Sequence, residues 1–180
     1  MRTGARVFVA LLVCSTAVYG LLALADHGTT DDPTIDGTAY LDTAHSGEAE
    51  AIRWMDREID GRPTIVTGVT RGYRWNAANG QGGSAPSSLT GLPTVVGWSH
   101  EAQYRNDSLY TTRTQHVGDI YRGNESLQRT RLRQYDVQYV YSGPAEQTRY
   151  RTVTVGELDA VRPVHQSGDV TVYYVDQDEL

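Results

Sequence analysis

The chain has no lysine: all 16 of its basic residues are arginine, set against 22 carboxylates for a formal charge of −6. Without lysine there is no Walker-type phosphate loop, because that loop needs a lysine on the β- and γ-phosphates. The acidic balance argues against nucleic acid as a partner, since neutralising phosphates takes a clustered basic surface. The one arginine-rich run, Arg129 to Arg133, falls on an expected helix and reads as a solvated face. Cysteine occurs once, as Cys14 inside an apolar run, so a disulfide within one chain and a cysteine-based zinc site are both excluded. An acidic, lysine-free composition points to adaptation to high salt, and it is equally compatible with a GC-rich genome that writes arginine for lysine.

Several catalytic and cofactor motifs are present only in part. Gly80-Gln81-Gly82-Gly83-Ser84-Ala85 has the loose dinucleotide spacing, but it meets Pro86 instead of opening a helix directly after a strand. His100-Glu101 begins a zincin motif, yet Tyr104 stands where the second imidazole is required. The five histidines have no metal-ligand spacing, and Asp176-Gln177-Asp178 lies at the C-terminus, where it reads as a solvated tail. There is no G-x-S-x-G elbow and no internal repeat. Neither a cofactor nor a metal site is expected.

Against these absences stands one long apolar run. Val7 to Ala25 carries no charge and follows Arg2 and Arg6, and it matches the ~20 residues that a helix needs to cross a bilayer. It reads as a single membrane anchor, with the N-terminus cytoplasmic by the positive-inside rule and everything after Asp26 outside. The rival reading is a cleaved signal peptide, for which Ala23-Leu24-Ala25 is an acceptable site. The run exceeds the ~7 to 15 residues usual for a signal h-region, which favours the anchor. Either way the rest is exported, as the sequons Asn106-Asp107-Ser108 and Asn124-Glu125-Ser126 agree. The organisation is therefore an anchor or signal over 1–25, a tether over 26–46 and an extracytoplasmic domain over 47–180, placed at the cell membrane as a single-pass protein.

Within that domain Ser46 is expected to cap a helix with Glu48 and Glu50 in its first turn and Ile52, Met55 and Ile59 on one face, ended by Gly61 and Pro63. Thr64 to Thr70 reads as a buried strand, 71–90 as a long Gly, Ser and Asn-rich loop, and Thr94 to Gly97 as a second strand followed by a polar loop. Asp107 or Ser108 is expected to cap a helix running toward Gly123, with Arg113, Val117, Ile120 and Tyr121 near one stripe. Asn124 is expected to cap the next helix, ending near Tyr135. A strand over Val137 to Ser142 stops at Gly143-Pro144, a short helix covers Val155 to Val161, and a hairpin closes the chain through Val170 to Val175. Alternating helices and short apolar strands predict an α/β fold: a small, three-layer-like domain with a partly parallel sheet and a C-terminal antiparallel hairpin.

The densest chemistry lies in Gly91 to Arg105, GLPTVVGWSHEAQYR. Two aromatics, an imidazole, a carboxylate, an amide and a guanidinium crowd there, which marks either a site or a buried polar network. The candidate ligand contacts are Trp98, His100, Glu101, Gln103, Tyr104, Arg105 and Arg113; no residue is assigned as catalytic. In the network reading Glu101 pairs with Arg105 or Arg113 and Trp98 fills the core.

The order Gly91-Leu92-Pro93-Thr94, Gly97-Trp98, His100-Glu101, Gln103 and Arg105 resembles the signature of the archaeal and chloroflexal YYY membrane-protein family. Further matches are Asp36-Gly37, Tyr40-Leu41, Glu48, Glu50-Ala51-Ile52, Trp54, Arg113, Val117, Asp119-Ile120-Tyr121, Leu132, Tyr135, Val137, Tyr139-Val140-Tyr141 and Gly143. Tyr104 departs from the tryptophan more usual in the family, and one residue fewer separates Ser99 from His100 than in some members. The family consists of polytopic membrane proteins resembling C-type glycosyltransferases, and this chain is similar only to the last helix and the soluble region after it. The resemblance implies an accessory or binding domain whose catalytic loops belong to a polytopic membrane subunit, with a lipid-linked sugar or glycan as ligand. Two alternatives remain: a membrane-anchored structural or partner-binding domain, and a stand-alone hydrolase or transferase using Glu101.

Overall fold

A computed structural model of the chain describes residue 42 and residues 45–69, 84–97 and 99–180. The expected anchor with Cys14, the tether up to residue 41 and the loop over 70–83 lie outside the described residues. No described helix is long and apolar enough to cross a membrane.

The first described helix, α1 (Ser46–Glu58), buries Ala51, Ile52 and Met55, and Ile59 just beyond its end. This is the face that the i, i+3, i+7 spacing predicts. Its start differs from expectation. Ser46 lies inside the helix and His45 holds the cap position, its carbonyl accepting from Glu48 N at 2.9 Å and Ala49 N at 3.1 Å. Docking against the sheet sets this boundary. A Cβ on Gly47 would stand 2.7 Å from the Ser167 carbonyl oxygen, so only glycine allows so close an approach. Glu50 accepts the Ser167 hydroxyl at 2.6 Å beside it.

The described strands β1 (Thr64–Val66), β2 (Val137–Ser142), β3 (Val161–Ser167) and β4 (Val170–Val175) form one sheet in the order β1-β2-β4-β3. β1 and β2 run parallel, and the other two pairings are antiparallel. The mixed sheet and the C-terminal hairpin are as expected, with Gly168 supplying the positive φ of the turn. Apolar side chains cover both faces. Ile65, Tyr141, Val170 and Val172 pack with Ala51 and Met55 of α1. Val66, Val140 and Val175 pack with Val117, Ile120 and Tyr121 of α4 (Asp107–Arg122) and Leu132 of α5 (Glu125–Gln134).

Three short helices replace expected loops. α2 (Ala85–Thr90) has a proline in its first turn and stops at Gly91, whose φ is +70°. α3 (Glu101–Arg105) occupies the polar loop, started by Ala102 N and Gln103 N donating to the carbonyls of Ser99 and His100. α6 (Pro144–Tyr150) begins where the proline was read as a stop, because proline also suits the first helical position. The expected second strand shrinks to a single parallel bridge between Thr94 and Ile65. The helix expected over Val155 to Val161 is a 3₁₀ turn, Val155–Glu157, since Val161 is taken into β3 opposite Val175.

Candidate functional site

The parallel pair β1 and β2 ends at Val66 and Ser142, and in α/β sheets the crevice beyond such carboxyl ends is where ligands collect. Three segments meet there. Ile65 N donates to Pro93 O at 2.8 Å and Val95 N to Ile65 O at 3.3 Å, so the Leu-Pro-Thr stretch runs beside β1 in the same direction. Val95 and Val96 are buried, which anchors the segment that follows.

That segment carries the predicted cluster. The Glu101 carboxylate accepts the Gly97 N–H at 2.8 Å, and the Arg113 guanidinium donates to the Val95 carbonyl at 3.3 Å. The Glu101 carboxylate and the Arg113 guanidinium thus both turn to the backbone of 95–97 and hold it. His100 Nδ1 and Gln103 Oε1 lie 3.3 Å apart. Tyr104 is 84% exposed. Trp98 and the side chain of Arg105 lie outside the described residues. The arrangement brings Glu101 and Arg113 to one stretch of backbone and pairs His100 with Gln103, while Tyr104 stands out in solvent.

Sequence reasoning missed a second set of polar groups. Glu146, only 4% exposed, accepts Gly68 N at 2.7 Å on one oxygen and Gly143 N at 2.9 Å on the other. One carboxylate therefore clips together the ends of both parallel strands. Burial pushes its pKa up, and the backbone donors pull it back. A Cβ on Gly68 would lie 2.8 Å from that carboxylate, so glycine is needed there too. Tyr121 donates its hydroxyl to the Tyr141 carbonyl at 2.5 Å, tying α4 to β2. Under the sheet, Tyr141 donates to Glu48 at 3.0 Å, while His45 Nδ1 lies 3.8 Å from the other Glu48 oxygen. Burial raises the Glu48 pKa to about 7, with the Tyr141 hydrogen bond opposing and the Glu146 charge adding to the rise. Glycine then proline then glutamate at 143–146 is a helix-start signal that marks Glu146 as a capping residue. Nothing local marks its reach to Gly68.

Among the described residues no three His, Cys, Asp or Glu side chains come together as a metal ion would require. No family model matches the chain. No curated protein matches it either. Among solved structures, the chain is similar to the C-terminal globular domain of the oligosaccharyltransferase AglB-S2 from Archaeoglobus fulgidus. The identity is 11%, the match covers 80% of this chain and 99% of that one, and the TM-score is 0.46.

Proposed function

We propose that this chain is the extracytoplasmic accessory domain of a glycosyltransferase-like membrane protein, binding a glycan or lipid-linked sugar while a polytopic subunit supplies the catalytic centre. In this reading the N-terminal run anchors the domain to the cell membrane. One observation carries it: the Glu101 carboxylate, the candidate general acid or base of the cluster, is spent on the Gly97 N–H, Arg113 holds the Val95 carbonyl, and the aromatic Tyr104 stands 84% exposed. A scaffold held this way serves contact better than general acid-base chemistry, which needs a carboxyl free to meet the reacting proton. An exposed aromatic beside hydrogen-bonding side chains suits a sugar, whose rings have both apolar and hydroxyl surfaces. The resemblance of Gly91 to Arg105 to the YYY signature agrees with this assignment.

The test is complementation of a gene deletion in the native host, read as the composition of surface glycans. Wild type and Glu101→Gln restore the composition, and Tyr104→Ala restores it poorly. Loss of complementation by a normally folded Glu101→Gln protein would favour the hydrolase or transferase reading instead.

A further inference from the structure

A groove of about 560 Å³ opens between α4 and the end of α6, within the size range of small-molecule sites. Thr114, Gly118 and Arg122 follow one another along one row of α4, with Gln115 beside them, and Arg149 and Tyr150 close the groove from α6. Glycine is a poor choice for the middle of a 16-residue helix. Packing does not require it at 118, because a Cβ there would meet only Tyr150 Cε1, at an ordinary 4.0 Å. What the missing side chain does is keep the groove floor low.

The charge of the groove departs from that of the chain. Arg122 is exposed and has no ion-pair partner among the described residues, and the Arg149 guanidinium lies 5.8 Å from the centre of the Tyr150 ring. Asp119, also on the wall, is answered by Arg131 at 3.2 Å. On a molecule of net charge −6, two arginines facing one hollow form a local attraction for an anion. Tyr150 is rigid, stacked on Tyr121 with ring centres 4.4 Å apart. The volume far exceeds what a single oxyanion fills.

We propose that this groove binds an anionic sugar, a saccharide bearing a phosphate or a carboxylate, with the charged group on Arg122 and Arg149 and ring hydroxyls on Gln115. The sugar in this assignment rests on the glycan reading above; the anion rests on the groove alone.

Calorimetric titration of the full chain in detergent, at constant ionic strength, with glucose 1-phosphate, glucuronate, glucose and inorganic phosphate tests it. At least one acid sugar should bind about tenfold or more tighter than both glucose and inorganic phosphate. The preferred one tells whether phosphate or carboxylate is the natural charge. The double variant Arg122→Gln/Arg149→Gln should lose about tenfold or more. Gly118→Leu should abolish binding without lowering the melting temperature, since leucine is the better helix former. No binding of either acid sugar, equal binding of glucose or of inorganic phosphate, or affinity unmoved in the folded arginine variant would overturn the assignment. Because the Tyr104 complementation test scores another surface, either result stands without the other.

Discussion

Glu48 is 3% exposed, and among the described residues its hydrogen-bond partner is the Tyr141 hydroxyl at 3.0 Å. Its native pKa, raised from 4.5 to about 7, means that the folded state holds the proton more tightly than the unfolded chain does. Stability from this group is therefore complete below the unfolded value and is lost as pH rises through the native one. Across that window the loss is about 3 kcal/mol. Glu48→Gln keeps an acceptor for Tyr141 and removes the titration. The variant should match wild type near about pH 4 and exceed it near about pH 8 in urea unfolding; the same pH slope in both proteins would refute the assignment. Of the predicted site residues, composition alone exposed the cluster at 98–105 and not its use. That Glu101 would serve Gly97 depends on α3 forming, and α3 has five residues, too few for a helical period to register.

Helices of ten residues or more were readable from their period, and one of their three caps from its residue type. Asn124 was expected to cap α5, and its side chain accepts Leu127 N at 2.9 Å. Asn124→Ala should cost about 1 kcal/mol, visible as a lowered urea midpoint with unchanged slope. The cap of α4 differs from expectation: Asp107 and Ser108 lie inside the helix, and Asn106 holds the cap position, its side chain accepting Ser108 N at 2.9 Å. The start of α1 was misread because its boundary is set by contact with β3 and not by a capping hydroxyl. Gly47→Ala tests that cause: by helix propensity alanine should help, but against the Ser167 carbonyl it should cost about 1 to 3 kcal/mol. A variant as stable as wild type or more so would show that the approach can relax. The short helices α2, α3 and α6 have six, five and seven residues. Each spans less than two turns, so neither an apolar stripe nor an alternation can mark it.

For the whole molecule, a net charge of −6 makes mutual repulsion a cost of compactness that salt reduces. The melting temperature should rise as KCl increases from about 0.1 M to about 1 M, over which the screening length shrinks from ~10 Å to ~3 Å. A fall over that range would mean that ion pairs such as Arg131–Asp119 outweigh the repulsion. The amino-acid order alone specified the mixed α/β class, the apolar face of α1, the helices α4 and α5, and the closing hairpin, because periodicity, caps and turns act over a few residues. Folding was needed to specify the strand order β1-β2-β4-β3, the Glu146 clip to Gly68 across 78 residues, the Tyr141–Glu48 bond across 93, and the groove between α4 and α6. Those contacts join segments with no local signal of each other, and they are selected only in the folded chain, where burial makes an unpaired polar group costly.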